Sequence, residues 1–133
     1  MASELRVDTL KDSSGSNSVG MAYVAGGSAK AWLNLNGTGT IATRDSLNIS
    51  GTTDNGTGKY SASFSTSMGS INYTAVGSVG GDNDYFCFSA SGTGRGTYMI
   101  TSASSIPIIS SRISDNAEVD NATIFVQVDG DLA

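Results

Sequence analysis

From Ala29 to the C-terminus of this 133-residue chain, apolar residues recur at every second position in short runs separated by glycine-bearing turns. That alternation limits the chain more than any other feature. In Ala31-Trp32-Leu33-Asn34-Leu35, the residues Ala31, Leu33 and Leu35 share a face. Tyr60, Ala62 and Phe64 do the same against intervening serines, as do Ile124, Val126 and Val128. Successive side chains of a strand point to opposite faces, so each run reads as a half-buried strand of an antiparallel sheet. No sustained i, i+3, i+4, i+7 pattern competes with this reading, and scattered Gly and β-branched residues disfavour helix further. Pro107 interrupts an Ile-rich run and marks an edge strand or a bend, because it cannot donate to a ladder.

The connections agree. Asn36-Gly37 and Asn55-Gly56 suit tight hairpins that need positive φ, and Gly80-Gly81-Asp82-Asn83 and Ser91-Gly92-Thr93-Gly94 read as further loops. Asn-Gly-Thr-Gly occurs at Asn36 and again at Asn55 without matching flanks, so it is reused turn chemistry and not a repeat unit. About eight strands with turns every 8–12 residues or so predict an all-β fold, an antiparallel β-sandwich. With 14% charged residues the chain is too poor in charge for a typical disordered tail.

Residues 1–28 differ. Ser3-Glu4-Leu5-Arg6-Val7-Asp8-Thr9-Leu10-Lys11-Asp12 offers Leu5, Val7 and Leu10, too few apolar groups to fold alone. Ser13 to Ser18 reads as a flexible connector. The expected organisation is an extended N-terminal arm over 1–28 and a β-sandwich over 29–133. Such an arm gains order only against another surface, a sister chain or a docking protein.

The chain has no histidine, which removes Ser-His-Asp triads, Cys-His dyads and His-bearing zinc motifs together. Cys87, the only cysteine, lies in Tyr85-Phe86-Cys87-Phe88 and reads as a small buried hydrophobe. No Walker-type loop or dinucleotide fingerprint is present, and Gly92-Thr93-Gly94-Arg95-Gly96 reads as a loop between strands. Asp82, Asp84, Asp115, Glu118 and Asp120 could supply a carboxylate pair for glycoside hydrolysis. Nothing in the sequence places two of them across a cleft, and no enzymatic activity is expected. Asp82-Asn83-Asp84 could offer oxygen ligands to Ca²⁺, but the glycine and glutamate of an EF-hand loop do not follow; a polar turn is the plainer reading. No metal or cofactor is expected.

The net charge of −5 argues against nucleic acid and anionic lipid as partners. No apolar run is long enough to span a bilayer, and no signal peptide is visible. Asn-x-Ser/Thr sequons arise by chance in a chain this rich in Asn, Ser and Thr. Trp32, the only tryptophan, faces away from Leu33 and Leu35. It is either a core or subunit-interface anchor or a sugar-stacking platform. Phe125 raises the same question, since it opposes Ile124, Val126 and Val128. Apolar residues on both faces of a strand suggest that a second surface covers the sheet, as oligomerisation would. Loops joining rigid strands often carry binding. The candidate binding residues are therefore Trp32, Asp82, Asn83, Asp84 and Arg95, with Leu5, Val7 and Leu10 for attachment.

The arm from Ser3 to Asp12 resembles the N-terminal segment of virion proteins from tailed bacteriophages, aquatic and cyanobacterial ones especially. The block from Ala31-Trp32 through Asn36-Gly37-Thr38-Gly39 and Asp54-Asn55-Gly56-Thr57-Gly58-Lys59-Tyr60 to Ile71-Asn72-Tyr73 resembles the small β domain of phage tail-fibre proteins. The resemblance covers most of the first half of the chain. It implies a homotrimeric fibre located in the virion. The arm would attach to other virion proteins, and the β domain would contact a host surface polysaccharide. No catalytic residue carries over. The absence of a long shaft keeps a capsid or tail decoration role open.

Overall fold

The computed structural model describes residues 3–80, 85–87, 100–112, 115 and 117–133, with only the backbone of 85–87. Among the described residues, ten strands and one short helix follow in the order β1 (Thr9–Lys11), β2 (Ser18–Gly20), α1 (Met21–Gly27), β3 (Ala29–Asn36), β4 (Ala42–Leu47), β5 (Ile49–Asp54), β6 (Lys59–Phe64), β7 (Thr74–Gly80), β8 (Tyr85–Cys87), β9 (Ser105–Arg112) and β10 (Thr123–Asp129). Eight of these strands form two antiparallel four-stranded sheets, ordered β4-β3-β10-β7 and β5-β6-β9-β8. The fold is all-β and sandwich-like, as the alternation predicts.

The core lies between the sheets. Ala31, Leu33 and Leu35 of β3 and Ile124, Val126 and Val128 of β10 face Tyr60, Ala62 and Phe64 of β6 and Ile106 and Ile108 of β9, all buried. Burying one such aliphatic or aromatic side chain contributes about 1.5–3 kcal/mol, so these in-facing rows are the main source of cohesion. The period-2 reading thus places the core correctly in all three quoted strands. Pro107 sits in the half of β9 that β8 does not reach, since β8 pairs only with Ser110–Arg112. Ser110 N–H donates to the Gly58 carbonyl at 2.8 Å. By alternation, even-numbered residues of β9 turn their N–H toward β6 and Pro107 turns its ring nitrogen outward. The proline therefore costs no ladder bond, as expected of an edge position.

A tyrosine ties the sheets together at each end of β6. Near its start, the Tyr60 hydroxyl donates to Asp120 Oδ1 at 2.6 Å and lies 3.1 Å from the Gly37 carbonyl of the β3–β4 connection. Near its end, the Tyr73 ring packs edge-on against Phe64 at 5.8 Å. The Tyr73 hydroxyl bonds to the carbonyls of Ser102 and Ser105 at 3.2 and 3.1 Å. Burial pushes the pKa of both hydroxyls up, and at Tyr60 the Asp120 carboxylate pushes in the same direction.

Two glycines leave room for the Tyr60 node. Gly37 does not have the positive φ expected of Asn36-Gly37; a Cβ there would lie 2.5 Å from the Tyr60 hydroxyl. Gly58 has φ +65°, and a Cβ there would overlap the Ser110 carbonyl oxygen and come within 2.6 Å of the Val119 nitrogen. The last glycine of each Asn-Gly-Thr-Gly is left-handed, Gly39 at φ +64° and Gly58 at +65°. The two copies share that left-handed fourth residue but differ at the second, where Gly56 has φ +116° and Gly37 does not have a positive φ.

Residues 3–8 have no regular element, but the rest of the expected extended arm is folded locally. Strands β1 and β2 pair as a hairpin, and α1 follows directly. Ser13 to Ser18 is thus largely a hairpin loop and not a connector. Asp12 organises it: Ser14 Oγ and Asn17 Nδ2 donate to its carboxylate at 2.7 and 2.6 Å. These two bonds, Ser14 foremost, lower the Asp12 pKa. An Asp bonding a few residues ahead is ordinary turn chemistry. α1 buries no residue and has no side-chain cap, so nothing within the helix holds it against fraying.

Candidate functional site

The outer face of the β4-β3-β10-β7 sheet carries a shallow groove of about 550 Å³. Its composition follows from register. Leu47, Trp32, Gln127 and Val76 stand directly opposite one another across the four strands. Two residues along, Asp45, Asn34, Phe125 and Ser78 form a second row. Neighbouring strands lie about 4.8 Å apart, so each row spans roughly 14 Å. The inward alternation of β3 and β10 turns Trp32, Asn34, Phe125 and Gln127 outward as a set.

Trp32 and Phe125 are diagonal neighbours on adjacent strands, a relation that places Cα atoms roughly 7–8 Å apart. Trp32 is half-buried, while Phe125 is 44% and Val76 61% exposed. Polar groups separate the rings, and two of them are held in place from outside. Arg44 Nη1 donates to Asn34 Oδ1 at 3.4 Å. Gln127 Nε2 donates to Asp129 Oδ2 at 3.1 Å, which leaves the Gln127 carbonyl as an acceptor. Arg44 is the extra residue where the β3–β4 register shifts, so it stands beside Asp45 on the edge strand. An apolar ring surface interrupted by fixed donors and acceptors can hold a flat ligand that is apolar on its faces and hydroxylated around its edge.

Of the residues singled out in the sequence, Trp32 lies in this groove, and Phe125 joins it through the β3–β10 pairing. Asp82, Asn83, Asp84 and Arg95 lie outside the described residues, as does the loop from Gly92 to Gly96. The Cys87 backbone pairs with Ser110 in β8, and its side chain lies outside the described set. Leu5, Val7 and Leu10 are exposed on the N-terminal segment, together with Val19 and Tyr23. Asp120 is far in sequence from the groove residues of β3 and β4 and serves the Tyr60 node, where its Oδ1 also accepts from Gly58 N–H at 2.7 Å. Glu118 pairs with Lys59 at 2.8 Å, and Asp115 with Arg112 at 3.3 Å. The groove residues that sequence reading missed are Asn34, Asp45, Val76, Ser78 and Gln127. Each is an ordinary out-facing strand residue, and only the sheet order brings them together.

Among the described residues no group of three or more His, Cys, Asp or Glu side chains could hold a metal ion. No helix among them is long and apolar enough to cross a membrane. Compared with family models, curated proteins and solved structures, the chain matches none.

Proposed function

We propose that this chain is a non-enzymatic structural protein of a tailed-phage virion. It acts as a short homotrimeric tail fibre that attaches through its N-terminal segment and contacts a host surface glycan through its β-sandwich. The observation that carries the reading is the outer-face groove, with two aromatic rings and hydrogen-bonding side chains between them. Aromatic faces pack on the apolar face of a sugar while amides and carboxylates take its hydroxyls. Only one carboxylate, Asp45, is among the described residues lining the groove, whereas glycoside hydrolysis ordinarily takes two.

The resemblance of Ser3 to Asp12 to phage virion segments supports attachment at the other end. So does the character of that segment. Leu5 is 80% exposed beside exposed Val7, Leu10 and Tyr23, and an isolated two-stranded hairpin is marginal in water. Sister chains and virion proteins are the surfaces that would cover it.

One observation favours a second reading, a capsid or tail decoration protein. α1 ends at Gly27 and β3 begins at Ala29, so no shaft separates the N-terminal segment from the sandwich. Sedimentation and host-cell adsorption of the purified chain distinguish the two. The fibre reading expects a species of three chain masses at micromolar concentration that adsorbs to host cells. A monomer that ignores host cells and binds only to particles would refute it.

A further inference from the structure

We infer that Asn55 is a site of spontaneous covalent modification, losing its side-chain amide through a cyclic imide formed with the Gly56 nitrogen, while the fold holds the matching pair Asn36-Gly37 unreactive. Asn-Gly occurs at these two places and nowhere else in the chain. An asparagine amide carbon can be attacked by the backbone nitrogen of the next residue, which closes a five-membered ring. A following glycine hinders this least, because it has no side chain and the widest backbone freedom. The site is independent of the proposed fibre role.

The two pairs differ at each requirement of that reaction. Asn55 and Gly56 are exposed at the tip between β5 and β6, and a Cβ built on Gly56 would meet no atom within 4 Å. The Asn55 amide donates only to Ser61 Oγ, at 3.2 Å. Gly56 N–H donates to Asp54 Oδ1 at 2.9 Å, so the proton that this nitrogen must lose already points at a carboxylate. The turn is closed by Asn55 N–H on the Lys59 carbonyl at 2.9 Å and by Lys59 N–H on the Gly56 carbonyl at 2.8 Å. Neither bond uses the peptide unit that reacts.

Asn36-Gly37 is tied down instead. Gly37 is buried, its N–H donates to the Asn121 carbonyl at 2.8 Å, and its own carbonyl lies 3.1 Å from the Tyr60 hydroxyl. A carbonyl is no base for the amide proton. The Asn36 side chain is turned to Thr38, whose hydroxyl donates to Asn36 Oδ1 at 2.9 Å. Swinging the Gly37 nitrogen onto the Asn36 amide carbon would break the Asn121 bond where even a Cβ has no room beside Tyr60.

At Asn55 the Gly56 N–H proton passes to Asp54 and the nitrogen bonds to Asn55 Cγ. The Cγ–Nδ2 bond then breaks, and the amide nitrogen takes a proton from the Asp54 carboxyl and leaves as ammonia. Solvent water opens the imide at either carbonyl, giving aspartate or isoaspartate. Both products add one negative charge to the net −5. Isoaspartate also inserts the side-chain methylene into the backbone of the β5–β6 hairpin.

The test incubates the full folded chain at mildly alkaline pH and follows tryptic peptides by mass spectrometry. Trypsin cleaves after Lys30, Arg44 and Lys59, so each Asn-Gly falls on its own peptide, 31–44 or 45–59. Fragment ions separate Asn55 from Asn48. Asn55 should convert roughly tenfold or more faster than Asn36, because a misplaced nucleophile costs at least that much. In guanidinium-unfolded chain the two rates should come together, and in folded Asp54→Ala the Asn55 rate should fall several-fold. Equal rates in the folded chain, or faster loss at Asn36, would overturn the inference. A difference that persists in unfolded chain would assign it to local sequence and overturn the protective role of the fold. Faster conversion in Asp54→Ala would show that the carboxylate withholds the proton, and would overturn its role as base.

Discussion

Replacing Tyr60 with Phe tests the node that joins the two sheets. The ring is fully buried, and Phe retains its packing, so the substitution isolates one hydroxyl. That hydroxyl donates to a carboxylate at 2.6 Å. A bond to a charged group contributes about 1.5–3 kcal/mol net, and the lower end applies because Asp120 is otherwise exposed. Asp120 keeps its bond from Gly58 N–H, so the loss is one bond and not an abandoned charge. We expect a loss of about 1.5 kcal/mol, or roughly 3–8 °C in Tm for a domain of this size. Tyr73→Phe is the internal control. Its hydroxyl meets two neutral carbonyls at 3.1 and 3.2 Å and should cost about 0.5–1.5 kcal/mol. Urea unfolding followed by Trp32 fluorescence measures both. Tyr60→Phe within 0.5 kcal/mol of wild type (roughly the limit for an inconsequential change) would refute the argument. So would a larger loss at Tyr73.

Two further outcomes follow from the same geometry. Gly39→Ala should cost about 1–2 kcal/mol, because its left-handed backbone strains any L side chain but nothing lies near its Cβ; Gly58→Ala should cost clearly more in chemical unfolding, since it adds overlap with the Ser110 and Val119 backbone. In alkaline titration, the raised folded-state pKa of Tyr60 and Tyr73 means their contribution is fully present below the unfolded value of about 10 and is lost as pH rises past it. Thermal unfolding should therefore be insensitive to these groups near neutrality and fall above about pH 10, with a shallower fall in Tyr60→Phe.

What could be read from the sequence was what depends on near neighbours. The alternation at Leu33, Tyr60, Ala62 and Val126 reports a strand's own two faces, and the core is assembled from those faces. Asn55-Gly56 carries its turn locally, with Gly56 at φ +116°. The β4–β5 corner was not legible. Asn48 turns it at φ 56°, held by an amide that accepts from Thr66 N–H at 2.7 Å and donates to the Thr66 carbonyl at 3.0 Å. The partner is eighteen residues away, so no local pattern announces it. α1 was missed because seven residues ending in two glycines make barely two turns, too few for periodicity. The Tyr60–Asp120 bond and the groove share one cause. Both depend on which strands become neighbours, and β10 sits beside β3 although some ninety residues separate them in sequence. Trp32 and Phe125 could be recognised singly as apolar residues on the wrong face, but their adjacency is a property of the sheet.

The trimeric attachment role proposed at the tail can be checked by imaging intact particles with a gold-labelled antibody against the β-sandwich. The account predicts label at the tail, in copy numbers that are multiples of three. Label spread over the head shell, or none on the particle, would contradict it.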